Sequence, residues 1–353
     1  MEEMTMAGRW VNRPEGSNWG EFGDDDQLGR LNLLTPERVV RAMQEVKTGE
    51  RFCLSLPLDL PGGRILNPRR FPPRLFATER NGLSNYNFAL ELENPELTDV
   101  VSDDAALICL QYSSQWDSLT HVGSMFDANG DGTPEVVYYN GWRGMEHKLA
   151  GDPNDAADPL MRFEGVRAKA LGIENMARAC VQGRGVMIDL HRHFGDERTV
   201  VDYPMLREVM DADGVEVEEG DMVCFHTGFA QKIVDMAGDP DPDILLGACP
   251  ALDGGDPELQ DWVRDSGAAV LIADNYAVEN VPGVDRRNGP KRVLMPLHEL
   301  CLFKLGVHLG EIWYLTELAN WLYENGRNRF LLTAPPLHLP GAVGSPANPI
   351  ATV

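Results

Sequence analysis

Gln111-Tyr112-Ser113-Ser114-Gln115-Trp116-Asp117-Ser118-Leu119-Thr120-His121 is the densest group of chemically able side chains in the sequence. Two amides, a carboxylate and an imidazole follow an apolar stretch within eleven residues. Asp117 and His121, four apart, can face one pocket from a turn or the start of a helix. A carboxylate and an imidazole together can hold a divalent metal or orient a base against water. Spacing alone equally allows a solvated loop closed by an Asx turn.

Other groups imitate known chemistry less completely. Asp127-Ala128-Asn129-Gly130-Asp131-Gly132 reproduces the first half of an EF-hand loop. Tyr138, however, stands where the bidentate glutamate belongs, so a tight surface turn is expected. His191-Arg192-His193 imitates the H-x-H of TIM-barrel amidohydrolases but comes past the middle of the chain, with no lysine placed to complete that site. His226, in Phe225-His226-Thr227-Gly228, ends an apolar run, where it is either a pocket residue or a satisfied structural histidine. No G-x-S-x-G elbow and no G-x-G-x-x-G after a strand occur, so neither a nucleophilic serine nor a Rossmann cofactor is supported.

These side chains need elements to hold them. The pattern predicts a helix over 36–46, with Thr35 as N-cap and Pro36 in its first turn. Strands are expected at 51–60, 104–112, 136–139, 185–190, 222–228, 268–273, 307–315 and 330–334. Helices are expected at 165–182, 202–210, 257–265, 296–305 and 315–324. The stretch 61–100 is rich in Pro, Gly and Asn and reads as a long functional or subunit-wrapping loop. Strands alternating with helices indicate an α/β layered fold. The expected organisation is an N-terminal arm over 1–60, with its helix and first strand, and a single catalytic domain over 61–353.

The chain has 353 residues and a formal net charge of −24, which opposes nucleic acid and anionic membrane surfaces alike. No apolar run is long enough to span a bilayer, and the acidic start at residues 1–4 lacks a signal-peptide core. Six scattered cysteines without a C-x-x-C pair read as reduced thiols, mostly in the core of a cytoplasmic protein.

The 111–121 segment resembles the signature H-x-G-T-H-x-D-x-P-x-H of the cyclase and kynurenine formamidase-like family of metal-dependent hydrolases, which includes isatin hydrolases. Laid on this sequence, the two early histidines fall on Gln111 and Gln115, the aspartate on Asp117 and the last histidine on His121. The departure resembles longer family members whose motif reads T-Q-W-D-x-L-x-H. Further matching pieces are Ser17-Asn18-Trp19-Gly20, Tyr139-Asn140-Gly141, Gly183 through Asp189, Gly220-Asp221, His226-Thr227-Gly228, His298 with Glu311, and Gly344-Ser345-Pro346.

The resemblance implies a swivelling β/β/α fold, a mixed twisted sheet wrapped by helices, in a homodimer or homotetramer. It implies hydrolysis of a small cyclic or aromatic amide, lactam or lactone by a centre of Asp117, His121, His298 and Glu311. Those four residues would hold one Mn2+ or Zn2+, although two imidazole ligands have become carboxamides, which are poorer donors. His121 or Glu311 would act as general base, and Gln115 would donate to the developing oxyanion. Trp116, Phe126, Tyr139, Trp142 and His226 would line the substrate pocket. The alternative is a metal-free cyclase or lyase that uses His121 and Glu311 as acid and base.

Overall fold

The computed structural model describes residues 8–149, 165–286 and 291–353; the acidic start at residues 1–4 lies outside them. A nine-stranded mixed sheet organises the molecule. Its strands, numbered here in chain order, are β1 (Arg51–Cys53), β2 (Gln115–Asp117), β3 (Gln182–Asp189), β4 (Met222–His226), β5 (Val270–Ala273), β6 (His308–Glu311), β7 (Arg329–Thr333), β8 (Gly344–Pro346) and β9 (Ile350–Thr352). Their order across the sheet is β1-β9-β7-β3-β4-β5-β6-β2-β8. Strands β3 to β6 are parallel, and every other pairing in the sheet is antiparallel.

Apart from the half-buried Gln182 that opens β3, the parallel strands are buried throughout, as strands covered on both faces must be. Alternation then splits the interior in two. Val186, Ile188, Val223, Phe225, Leu271 and Leu309 point into one core, shared with the helices Tyr203–Asp213 and Pro257–Asp265. Met187, Met222, Cys224, Val270 and Ile272 point into the other, shared with the helix Thr316–Glu324. This is the swivelling β/β/α architecture, with helices on both sides of a mixed sheet.

Several local expectations hold. The Thr35 side chain caps the helix Pro36–Ala42 by accepting from Arg38 N–H, and Pro257–Asp265 forms where predicted. Others shift. The helix expected over 165–182 is short, Glu174–Ala179, preceded by the bridge strand Arg167–Ala168. The strand expected over 51–60 ends at Cys53, because Pro57 and Pro61 follow. The helix at 296–305 begins as Pro296–His298 and widens into a π-helix over Glu299–Leu305. The stretch 61–100 forms small two-stranded ribbons, among them Arg74–Ala77 paired with Asp104–Leu107.

Residues 8–50 pack onto the body. Trp19 is buried in the first core and donates its indole N–H to the Phe303 carbonyl at 2.8 Å. Gly29 and Gly306 touch backbone to backbone, both with positive φ, where any Cβ would collide. All six cysteines are unpaired; Cys224, Cys249 and Cys301 are buried, whereas Cys53 and Cys180 are exposed. Among the described residues no helix is long and apolar enough to cross a membrane.

Candidate active site

The middle of the sheet's antiparallel side builds the site. In β2, Gln115 and Asp117 share one face and Trp116 takes the other, the ordinary alternation of a strand. Register places Gln115 opposite Glu311 and Asp117 opposite Leu309 on β6. Ile312, immediately after Glu311, has φ +55, a strained conformation for a β-branched residue and one that collects at functional sites. On the far side of the cleft, the turn that opens the π-helix supplies His298.

Asp117, His298 and Glu311 offer ligand atoms that all lie within 4.8 Å of one another, and all three side chains are buried. Both Asp117 carboxylate oxygens lack a hydrogen-bond partner. Leaving a carboxylate dry and unpaired costs several kcal/mol unless a proton or a cation fills the gap. Burial, reinforced by the charge of Glu311, pushes the Asp117 carboxyl well above the usual range. His298 has the opposite fate. Burial would lower it, but hydrogen bonds to Glu279 at 2.9 Å and Glu311 at 3.1 Å outweigh that and raise it to about 10. Burial likewise opposes ionisation of Glu311, and the His298 hydrogen bond holds it below its ordinary value. An orphaned carboxylate beside a second carboxylate and an imidazole is an oxygen-rich donor set that fits a hard or borderline divalent cation.

His121 stands beside this group rather than in it. Its Nε2 is 3.7 Å from Asp117 Oδ2, and its Nδ1 is 3.3 Å from the Gln111 amide nitrogen. Burial lowers its pKa to about 3, so the ring is neutral at pH 7. Gly344 on β8 leaves the space the Gln111 amide occupies, since a Cβ there would strike it.

Gln115 corrects an expectation. Its NH2 already donates to Glu311 Oε2 at 2.8 Å, and Oε1 is the atom left without a partner. One of its two amide hydrogens is thus engaged by Glu311, and the atom it presents without a partner is an acceptor rather than the oxyanion donor anticipated. Trp116 is likewise no substrate wall. It packs edge-on to Trp313 at 4.9 Å in the second core and donates to the Ala334 carbonyl. Three further aromatics expected around the substrate fasten the N-terminal arm instead. Phe126 and Tyr139 belong to the first core, where Phe126 stacks edge-on to Trp19. Trp142 lies under the Arg9 guanidinium at 3.8 Å and donates to the Asp26 carbonyl.

His226 points to the opposite face of the sheet, in step with Met222 and Cys224. There Nδ1 meets Asp189 at 2.7 Å and Nε2 meets the Thr316 hydroxyl at 3.2 Å. His191 and His193 pair with Asp196 and Asp213 near the surface. In the EF-hand look-alike, Asp127 accepts from the N–H groups of Gly130, Asp131 and Gly132, so its oxygens close a turn between two short strands.

The sequence reading missed Glu279. Its carboxylate accepts from the Leu297 and His298 N–H groups and from the His298 ring, which it orients. It reaches that place through a turn in which Ala277 and Val278 take φ of +88 and +59. A lone acid in the apolar run Tyr276-Ala277-Val278-Glu279 was the available signal.

Comparisons with known proteins follow the same lines. A cyclase family model matches residues 70–280. A cyclase of solved structure is 31% identical, covering 96% of this chain and 99% of its own, with a TM-score of 0.71. Isatin hydrolase A from Ralstonia solanacearum shares the fold at 14% identity, 86% and 91% coverage and TM-score 0.51. Isatin hydrolase A from Labrenzia aggregata, bound to benzyl benzoate, does so at 13% identity, 90% and 98% coverage and TM-score 0.53. No curated protein matches.

Proposed function

The chain belongs to the cyclase family, and from that premise we propose that it is a metal-dependent hydrolase opening the amide, lactam or lactone bond of a small cyclic or aromatic substrate. The observation that carries this reading is the buried Asp117 carboxylate, unpartnered at both oxygens, within reach of His298 and Glu311. The names of the isatin hydrolases that share the fold lend it support.

Asp117, His298 and Glu311 would hold one divalent ion, Mn2+ or Zn2+. Such an ion would supply Lewis acidity and positive charge where negative charge develops on the attacked carbonyl. The chain's own groups do the rest. Glu279 keeps the His298 ring aimed at the centre. Gln115 holds Glu311 in place through its NH2. Neutral His121 is the proton acceptor. As placed, the Gln111 amide donates to Nδ1, which leaves the proton on Nε2. Turning that amide over sets its oxygen against Nδ1–H and frees Nε2 to take a proton from water or substrate.

We also read the protein as cytoplasmic and as a homodimer or homotetramer. Leu75 and Phe76 on the exposed Arg74–Ala77 strand support a partner surface; light scattering showing a 39.1 kDa monomer at micromolar concentration would remove that part.

The test is metal analysis of protein purified without added metal, joined to a screen of formanilides, lactams and lactones. About one equivalent of Mn or Zn and turnover that a chelator abolishes would support the hydrolase. Turnover that survives complete chelation would favour the acid/base alternative through His121 and Glu311. No turnover across the screen would remove the hydrolase reading.

A further inference from the structure

A protein of net charge −24 carries four arginines and no acid over residues 60–78: Arg64, Arg69, Arg70 and Arg74. Arg70 reaches the active site, and Arg64 shares a cavity with it. Arg64 and Arg70 line one small cavity with Tyr112, Tyr276 and Ile312, and among the described residues no acid lines it. Two of its lining residues tie this cavity to the centre: Arg70 is bonded to the Gln111 backbone, and Tyr276 feels the charge of Glu311. Arg70 Nη1 donates to the Gln111 carbonyl at 2.5 Å, and the Gln111 side chain meets His121. The charge of Arg70 is felt at Asp117, His121 and Glu311, which it pulls toward lower pKa. Arg64 faces the Phe71 ring at 5.7 Å.

The cavity measures about 10 Å³, room for one water-sized polar group and not for a ring. Asp117, Glu279 and Glu311 outnumber the His298 imidazole at the centre, and a divalent ion held there would have its charge taken up by them, so the centre offers little charge to a further anionic group. An anionic ligand needs a counter-charge at the entrance, and a guanidinium pair is the side chain best matched to a planar carboxylate.

We propose that Arg64 and Arg70 form an anion subsite that receives a carboxylate borne by the substrate of the adjoining centre. The word substrate rests on the hydrolase reading; the binding does not. The carboxylate end sits between the two guanidinium groups, the ring stays outside the small cavity near Tyr276, and the bond to be cleaved is presented to Asp117 and His298.

Benzoate and its neutral counterpart benzamide, titrated by calorimetry, test this on the full chain. The wild type, Arg70→Gln, Arg64→Gln and Asp117→Asn are compared. Benzoate should bind saturably and about tenfold or more tighter than benzamide, weaken by a similar factor in either arginine variant, and bind no more weakly in Asp117→Asn, where an opposing acid is gone. Circular dichroism checks folding. Because Arg70 also holds the Gln111 carbonyl, Arg64→Gln decides the matter if Arg70→Gln fails to fold. Benzoate binding no tighter than benzamide, or indifferent to the arginine variants, overturns the subsite. Loss of benzoate binding in Asp117→Asn overturns it too, since the carboxylate would then be sitting at the centre. Selective benzoate binding without turnover of any amide or lactone keeps the subsite and removes the hydrolase; turnover without such binding does the reverse.

Discussion

Two buried clusters of acids and histidine sit at strand ends of the same sheet, on opposite faces, and they differ in one respect. In the Asp189–His226–Asp274 cluster the carboxylates are satisfied. Asp274 accepts from Thr227 N–H and Oγ–H at 2.6 Å and from Gly228 N–H at 2.9 Å, and Asp189 accepts from His226 and Arg192. In the Asp117–His298–Glu311 cluster, Asp117 accepts from nothing. Burial raises the pKa of Asp117 and Asp274 alike. What separates a fastening from a reaction centre here is unspent bonding capacity. Chemistry requires a group whose partner arrives from outside, whereas structure requires one whose partners are already present.

Exchanging the two acids for amides tests that contrast most directly. Asp117→Asn should cost about a hundredfold or more in rate, while the melting temperature of the metal-free protein holds or rises, because a buried carboxyl without a partner is removed. Asp274→Asn should cost about 2–3 kcal/mol of stability through lost charge-assisted hydrogen bonds. Denaturant melts beside rate measurements read both, and the contrast breaks if the two variants trade phenotypes.

Metal-free protein sharpens it through pH. His298 titrates near 10 when folded, above its unfolded value near 6.5. Its stabilising contribution is therefore complete below about 6.5 and lost as pH rises through about 10. Thermal melts in chelator should fall between pH 7 and pH 10, and His298→Gln should flatten that fall; an equal fall in the variant would mean other groups carry it.

The smallest effects belong to features that only imitate sites. His226→Gln should change rate by no more than about threefold and lower stability by about 1–2 kcal/mol, since its partners are Asp189 and Thr316. Millimolar calcium should leave the melting temperature unmoved, because Asp127 already serves three backbone N–H groups. A calcium-dependent rise abolished by Asp127→Asn would contradict this.

Local features were legible in the sequence where the physics is local. The Thr35 cap, the helix Pro257–Asp265 and the succession of buried strands and amphipathic helices follow from propensity and periodicity within a few residues. The motif aspartate in β2 and the pairing of His298 with Glu311 were readable through family resemblance. The aromatic residues were misplaced because nearness in sequence says nothing about face: Trp116, between two site residues, points away from both. Gln115 was assigned a donor's role because a sequence does not disclose which end of an amide is already engaged.

By itself, then, the sequence determined the layered α/β class, the parallel strands at its centre and the acid and imidazole that could meet, but not the short strands β2, β8 and β9. Only the tertiary structure decided that β6 lies between β5 and β2, which brings residues 117 and 311 to one cleft with 298 opposite. It also decided that Glu279 supports His298 and that Arg70 overlooks the site from a distant loop. Alternation and capping act within one turn or one strand. Strand order, register and the side of the sheet a residue faces are set by contacts between segments that are far apart in the chain, and these contacts form only when the whole core closes.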